Sequence, residues 1–369
     1  MKVKLGDLIE EYSERNIDNK YKPVAVGKYG IRARESIYSK ELAKDYSKNK
    51  LIYKGTLTIG MGSNQIDIGI LRDDEIYSVS PAYHTYNIKI SNYDYLDYLL
   101  TANNNRMFSI YANRGSRQGK TLDLKRWLTD ELRLHDEKDQ KIIVQTLNAV
   151  KQLISQKEAE LVKLDNLIKA RFVEMFGDKD ETKISDYIDS LEAGKSLAGT
   201  EKCENKVLKT GAVSYDYFDV SQTKYLPKDY RPVDAHKVNP GNIVISRMNT
   251  IELVGAAAYV WNVPDKIYLP DRLWKAKIEN DANPIFVWQT IIHPKTKELI
   301  RRIAGGTSGS MKNISKSKFL EMPVKKATRE EQDQFAIFVT QIDKSKFAVQ
   351  KSLEKTQLLF DSLMQEYFG

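Results

Sequence analysis

Residues 137–177 constrain the fold more than any other part of the chain. Their apolar residues recur at steps of three and four, which is the pattern of a coiled-coil seam. Only Lys157 and Arg171 interrupt it, and no Pro or Gly occurs before Gly177. The stretch therefore predicts one helix roughly 60 Å long, which is too long for the core of one compact domain. The seam consists of Ile143, Leu147, Val150, Ile154, Leu161, Leu164, Ile168 and Met175.

A related stretch occupies residues 331–369 and carries a seam of its own. The two stretches share Glu-x-Asp-Gln near the start and Phe-Gly at the end. Two unrelated helices, each packing against its own domain, are the alternative, but identities at both ends favour an internal repeat. The second seam consists of Phe338, Ile342, Val349, Leu353, Phe360, Leu363 and Tyr367.

Shorter motifs outside the helices repeat in the same order. KISDYI at residues 183–188 echoes KLGDLI at 4–9, and GNIVI at 241–245 echoes GTLTI at 55–59. The predicted fold is α/β (α+β), with two similar globular domains that are each followed by a long helix. The predicted segments are a first domain at residues 1–136, a central helix at 137–177, a second domain at 178–330 and a C-terminal helix at 331–369.

Several local patterns predict individual elements. Apolar and polar residues alternate around a Gly-Ser-Asn turn over residues 53–70, which indicates a β-hairpin. Apolar residues of 2–16 fall on one face of a helix, so this segment is predicted to be a short amphipathic helix. Residues 93–100 and 105–111 are predicted to form two further helices.

The composition favours a polyanionic partner without proving one. The chain has 369 residues, a formal net charge of +8 and a pI of about 9.1, and a positive balance of this kind is common in nucleic-acid-binding proteins. The first residues lack the apolar segment of a signal peptide, and no apolar run is long enough to span a membrane. Cys203 is the single cysteine, which excludes a disulfide framework. We therefore expect a cytoplasmic protein with no membrane partner.

Residues 115–121, GSRQGKT, come closest to a catalytic motif. They resemble the phosphate-binding loop GxxxxGK[ST] but are one residue short. The spacing matters because successive backbone N–H groups must surround the phosphates before the lysine is reached. The counterpart in the repeat, GGTSGS at 305–310, has no lysine at all. A loop that contacts nucleic-acid phosphates and a plain surface loop remain equally open.

Other motifs do not assemble into a catalytic site. Residues 283–286, Asn-Pro-Ile-Phe, resemble the Asn-Pro-Pro-Tyr/Phe site of adenine-N6 methyltransferases but lack the second proline, and they predict a turn before a helix. The four histidines do not have the spacing of a metal site. A duplicated architecture without a catalytic signature indicates a protein that binds and scaffolds.

The order of these motifs, present twice, resembles the specificity subunit of type I restriction–modification systems over essentially the whole chain. The matching features include VSPAY at residues 79–83, GNIVISR at 241–247 and the two Gly-rich loops. Each long helix also begins with Glu-x-x-Gln, at residues 137–140 and 331–334. His135 and Asp136 depart from the family, whose members often have proline before the first long helix.

The resemblance implies that the two helices pair as an antiparallel coiled coil, with a recognition domain at each end. Each domain would read one half of a bipartite, asymmetric target in double-stranded DNA. Two copies of a modification subunit would methylate adenine with S-adenosylmethionine, and a restriction subunit would add ATP- and Mg-dependent translocation and cleavage. The chain itself would bind none of these cofactors and would catalyse no reaction.

Reading of DNA bases requires Arg, Lys, Asn or Gln side chains at base edges. For each candidate, a solvated surface charge or a phosphate contact is the competing interpretation, because phosphate contacts outnumber base contacts. The candidates in the first domain are Lys28, Arg32, Arg34, Asn64, Gln65, Arg117, Gln118 and Lys120. Those in the second domain are Lys195, Lys206, Lys209, Arg247, Asn249, Arg272, Ser308 and Lys312.

Three functions other than that of a type I DNA-specificity subunit remain possible interpretations of the sequence. A coiled-coil scaffold that binds only proteins would make the positive charge incidental, and salt-dependent retention on duplex DNA would argue against it. A specificity subunit of a related type II system has the same sequence features. A fused methyltransferase is disfavoured because the methylation motifs are incomplete.

Overall fold

The computed structural model describes residues 1–36, 45–114, 120–306 and 311–369. These residues form two compact units, one built from residues 1–158 and 351–369 and the other from residues 159–350. Each long helix contributes to both units, whereas the boundaries predicted from the sequence keep each helix whole. No helix among the described residues is long and apolar enough to cross a membrane.

The first unit has a four-stranded antiparallel sheet at its centre, with the strand order β2-β9-β6-β7. Its elements before the first long helix are β1 (Lys2–Lys4), α1 (Leu5–Leu8), β2 (Ile9–Tyr12), β3 (Val24–Gly27), β4 (Gly30–Ala33), β5 (Lys50–Ile52), β6 (Thr56–Met61), β7 (Ile66–Ile70), β8 (Tyr77–Val79), β9 (His84–Ile88), α2 (Tyr93–Tyr111), β10 (Ala112–Arg114), β11 (Lys120–Leu122), α3 (Leu124–Trp127) and β12 (Glu131–Arg133). The first long helix is α4 (Glu137–Phe176).

The second unit also has a four-stranded antiparallel sheet, with the order β14-β21-β17-β19. Its elements are β13 (Glu181–Lys183), β14 (Ile188–Ala193), β15 (Lys206–Leu208), β16 (Thr223–Tyr225), β17 (Ile243–Ser246), β18 (Met248–Asn249), β19 (Ala257–Tyr259), β20 (Ile267–Tyr268), β21 (Leu273–Ile278), α5 (Pro284–Ile292), α6 (Pro294–Ile303), β22 (Lys312–Asn313), α7 (Lys316–Leu320) and β23 (Pro323–Lys325). The second long helix is α8 (Arg329–Phe368).

The two central sheets have the same topology, which confirms the predicted repeat. In each, the first strand lies at one edge, the last strand is second, and the hairpin that lies between them in sequence completes the sheet. In each unit a short strand before the sheet also pairs with the short strand just before a long helix, as β1 with β12 and β13 with β23. The α/β fold class is likewise confirmed.

The long helices pack against each other in antiparallel fashion inside each unit. In the first unit, the Phe368 ring lies 6.3 Å from His135, and Lys151 Nζ lies 5.9 Å from the ring of Phe360. In the second, the ring of Phe335 lies 5.6 Å from that of Phe172, and Lys346 Nζ is 2.6 Å from Asp165 Oδ1. Every residue of the two predicted seams is buried or half-buried.

Each unit has its own hydrophobic core beneath its sheet. In the first core, Trp127 is fully buried and its ring lies 6.0 Å from that of Tyr86. In the second, Phe286 is fully buried and packs against Phe172, Phe176 and Tyr187. Burial of one such side chain stabilises a fold by about 1.5–3 kcal/mol. Both cores include side chains of α4 and of α8, so each half of the helix pair is anchored to the unit that contains it.

The prediction of a helix over residues 2–16 is wrong. Only Leu5–Leu8 form one helical turn, while β1 pairs with β12 and β2 pairs with β9. Leu5, Leu8 and Ile9 are buried as the amphipathic pattern requires, but that burial is achieved by pairing with distant strands. Local periodicity did not contain this information, because the partners lie far along the chain.

Two other local predictions have different outcomes. The hairpin over residues 53–70 is confirmed as β6 and β7, whose Leu57 and Ile70 are paired. The two helices predicted at 93–100 and 105–111 are one continuous helix, α2. The polar residues that suggested a break include Asn104, whose side chain accepts from Ile66 N at 3.0 Å and donates to Ile66 O at 2.8 Å. Asn104 therefore caps an edge strand instead of ending a helix.

Candidate nucleic-acid interface

In the second unit, four of the predicted residues meet at the end of strand β17. Arg247 follows this strand directly, and its backbone N–H donates to the carbonyl of Arg272 at 3.2 Å. Strand β18 pairs with β22, which places Asn249 opposite Lys312. Arg272 is exposed and the other three residues are half-buried. The fold thus gathers three cations and an amide at one edge of the sheet, which we call the second-unit edge.

Lys195 lies near the second-unit edge, in the loop that follows a strand of the central sheet. It follows β14, whose last residue, Ala193, pairs with Trp274, and Gly194 N donates to Pro270 O at 3.0 Å. Lys195 is exposed. Lys206 begins strand β15 of a separate three-stranded sheet, of order β16-β15-β20, and its Nζ lies 5.4 Å from the Tyr225 ring. Lys209 follows that strand, and its backbone N–H donates to Gln222 O at 2.8 Å. No described contact brings those two residues to the second-unit edge.

In the first unit, predicted residues meet at the turn between β6 and β7. Lys120 Nζ donates to Ser63 O at 2.9 Å and lies 4.6 Å from the ring centroid of Phe108. Asn64 is exposed in the same turn, and Gln65 Nε2 donates to Asp67 Oδ1 at 3.3 Å. Lys120 therefore has a structural contact as well as an exposed position, which the short phosphate-loop pattern did not indicate.

A groove of about 770 Å³ lies beside that turn, between the β3–β4 hairpin, strand β7 and helix α2. Of the predicted residues, Lys28, Arg32 and Gln65 line it. The hairpin also presents Tyr29, which is 71% exposed, between Lys28 Nζ at 5.6 Å and Arg32 Cζ at 5.3 Å from its ring. Arg34 lies further along, with its guanidinium carbon 5.5 Å from the ring of Tyr46.

The groove is also lined by two cations that were not among the predicted residues, Arg72 and Lys151. Arg72 donates to Asp94 Oδ1 at 2.8 Å and to Asp97 Oδ2 at 2.6 Å. Burial lowers the pKa of Arg72, but these two carboxylates outweigh it and raise the pKa overall. Lys151 lies 4.7 Å from the Tyr98 ring. Its position on α4 outside the seam was the only signal in the sequence.

Three predicted residues, Arg117, Gln118 and Ser308, lie outside the described residues. The segments next to them are described. Strand β10 pairs with β11 on either side of residues 115–119, and Gly305 N donates to Asn313 O at 2.9 Å beside residues 307–310. Within the described ranges, no three His, Cys, Asp or Glu side chains are grouped so that they could hold a metal ion.

Comparisons with known proteins reveal a likeness in structure but not in sequence. The chain matches no protein-family model and no curated protein sequence. It is similar to the crystal structure of the S subunit of the type I restriction–modification system from M. genitalium, with a TM-score of 0.56 and 14% identity, covering 100% of this chain and 96% of that one.

A second solved structure gives the same result. It is a chain from a study of complex assembly and conformational transition of the type I R-M system, with a TM-score of 0.56 and 13% identity, covering 99% of this chain and 96% of that one. The chain therefore shares, along its whole length, the fold of the type I restriction–modification S subunit.

Proposed function

We propose that this chain is the DNA-specificity subunit of a type I restriction–modification enzyme and reads a bipartite, asymmetric target in double-stranded DNA. One observation carries the proposal. The same α/β unit occurs twice, and in each unit predicted base-reading residues gather where the central hairpin strands end, in a chain whose whole fold resembles an S subunit.

The charges of the two units support a DNA partner. Lys28, Arg32 and Lys151 line the first-unit groove and make no ion pair with another described residue, and the same is true of Arg247 and Arg272 at the second-unit edge. Cations without a carboxylate partner can neutralise phosphates and release counterions. The residues differ between the units, so each unit suits a different short sequence and the target is asymmetric.

We further propose that two modification subunits and a restriction subunit bind this chain, and that the long helices provide part of their contact surface. Apolar side chains outside the two seams remain exposed on both helices, and a partner that covers them would gain the free energy of burying apolar surface. They are Ile142, Leu153, Val162, Leu167 and Val173 on α4, and Ile337, Phe347, Leu358 and Leu359 on α8.

The proposed subunit performs no chemistry itself, and its partner subunits would bind S-adenosylmethionine, ATP and Mg. The role of Asn283 supports this assignment. Its Oδ1 accepts from Ile285 N at 2.9 Å and its Nδ2 donates to Asp333 Oδ1 at 2.7 Å, so it caps helix α5 as the Asn-Pro pattern predicted. These hydrogen bonds engage the side chain that a methyltransferase would direct at adenine.

Two assays test the proposal. Retention of the purified chain on duplex DNA should fall steeply with salt, because phosphate contacts dominate affinity. Labelled S-adenosylmethionine should transfer methyl groups to DNA only when modification subunits are added. Methyl transfer by the chain alone would refute the non-catalytic assignment. Failure of the chain to show salt-dependent retention on duplex DNA would favour a scaffold that binds only proteins.

A further inference from the structure

We infer that Arg247 reads a guanine in the half of the target bound by the second unit, and that Trp274 is the residue that positions it. This inference rests on the proposed function and deepens it, because it names a specificity-determining residue and the base it recognises. It is carried by the fixed backbone of Arg247, by its unpartnered guanidinium and by the exposure of the cations around it.

The backbone of Arg247 is fixed on both sides. Its N–H donates to Arg272 O at 3.2 Å, and its carbonyl accepts from Ile314 N at 3.0 Å. Ser246, just before it, is fully buried and pairs with Leu273 in the central sheet. A side chain that reads a base must start from a rigid position, and Arg247 starts from the end of the most enclosed strand of this sheet.

The guanidinium of Arg247 lies beside an aromatic ring but lacks a polar partner. Its Cζ is 5.9 Å from the Trp274 ring centroid, and Trp274 is 1% exposed. Arg247 Nε is buried, and no other described residue forms a hydrogen bond or ion pair with the guanidinium. A buried donor without an acceptor is unfavourable, so a bound ligand that brings an acceptor to this guanidinium is favoured.

The surroundings favour a base over a phosphate as that acceptor. Arg272 and Lys195 are exposed near the same edge and can reach phosphates, whereas Arg247 is half-buried and its guanidinium carbon lies over the indole ring, 5.9 Å from its centroid. Guanine presents O6 and N7 to a planar pair of donors, which is the commonest specific contact of arginine in the major groove. The ring of Trp274 limits the orientations that this planar group can adopt.

The experiment uses the chain together with its modification subunits. Binding is titrated on the cognate duplex and on duplexes in which each base pair of the second half-site is exchanged in turn. Arg247→Lys keeps the charge but not the pair of parallel donors, so we expect affinity for the cognate duplex to fall roughly 5- to 150-fold. Discrimination should disappear at one G·C pair, with the salt dependence unchanged.

Arg272→Ala is the matched control, since it removes an exposed cation from the same edge. It should weaken binding to all duplexes alike and reduce the salt dependence. Trp274→Phe keeps an aromatic ring of smaller area, and it should reduce discrimination at the same G·C pair as Arg247→Lys. A Trp274→Phe variant that weakens all sequences alike would overturn the positioning role.

The outcomes separate the inference from the proposed function. If the wild-type complex prefers one site and Arg247→Lys keeps the full preference at every base pair, the reading role of Arg247 is wrong and the proposed function stands. If Arg247→Lys lowers the affinity for the modification subunits and leaves base discrimination intact, Arg247 contacts protein and the inference is again wrong. If the wild-type complex prefers no sequence at all, the proposed function itself fails.

Discussion

At the scale of single residues, Arg106 and Arg247 show how neighbours decide what a charged side chain does. Arg106 donates to both carboxylate oxygens of Asp130, at 2.9 and 2.6 Å, and Asp130 is 4% exposed. Tyr111 also donates to Asp130, at 2.6 Å. Arg106 belongs to helix α2, whereas Arg247 follows strand β17 and forms no ion pair with any carboxylate that the structure describes. The first arginine stabilises the fold, and the second is available for a ligand.

Gly69 provides a test of packing in the first unit. A Cβ at this position would lie 2.6 Å from Ile31 Cγ1 and 3.2 Å from the Ile31 backbone nitrogen, so the β3–β4 hairpin would have to move. We expect Gly69→Ala to lower the free energy of unfolding by about 1–3 kcal/mol, measured by chemical denaturation. Gly305→Ala is the control, because its Cβ would have no atom within 4 Å from any described residue beyond its chain neighbours. Equal effects of the two substitutions would contradict this packing.

His135 predicts a pH dependence of stability in the same unit. Burial, helped by the nearby charge of Arg133, lowers the pKa of His135 in the folded state, so the unfolded chain binds its proton more readily. The stability it contributes is therefore present above an unfolded pKa of about 6.5 and is lost as the pH falls through the folded value. His135→Gln should reduce the fall in unfolding midpoint between about pH 7.5 and about pH 5.5. An unchanged fall would show that His135 titrates normally.

At the scale of elements, the long helices could be predicted and the short strands could not. A seam with steps of three and four is a local pattern, and its residues are the less exposed ones in the structure. Strand β1 has only three residues, and its Val3 pairs with Leu132, which lies far along the sequence. Pairing over such a distance leaves no periodicity in a short segment, which is why residues 2–16 were predicted as a helix.

Phe347 tests whether the exposed side of α8 is a contact surface for the modification subunit. Its side chain is 71% exposed, so Phe347→Ser should leave the free energy of unfolding nearly unchanged. If a partner buries the ring, affinity for the modification subunit should fall roughly 10- to 150-fold, measured by titration. Lys344→Ser, also exposed on this helix, is the control. Unchanged affinity would mean that the partner binds elsewhere.

At the scale of the whole molecule, the repeat could be predicted because its motifs recur in one order. The cationic edges could not be predicted, since Arg247, Arg272 and Lys312 meet only when β17 pairs with β21 and β18 pairs with β22. The β3–β4 hairpin of the first unit illustrates the same limit. Lys28 and Arg32 were predicted individually, but the groove they share with Lys151 requires the packing of α2 and α4 in that unit.

The length of the paired helices should set the spacing between the two half-sites. A seven-residue insertion preserves a seam and lengthens a helix by about 10 Å, which corresponds to roughly three base pairs of DNA. Insertions after Ile154 and after Ala348 together should therefore lengthen the preferred spacer by about that amount, with some loss of affinity because the DNA also turns. Binding to duplexes that differ only in spacer length is the measurement.

Two comparisons complete the spacing test. A four-residue insertion in one helix should be more damaging than the double insertion, because it rotates the following seam away from its partner. An optimum spacer that stays the same after the double insertion would show that the helices do not set the distance.

The most direct test of the central claim is a map of methylated sites in DNA from cells that carry this chain and its modification subunits. We predict methylated adenine within a bipartite, asymmetric sequence. Replacement of residues 183–330 by the equivalent segment of a related subunit should change one half of that sequence and leave the other intact. A methylation pattern without two separated halves, or a replacement that changes both halves, would contradict the claim that each unit reads its own part of the target.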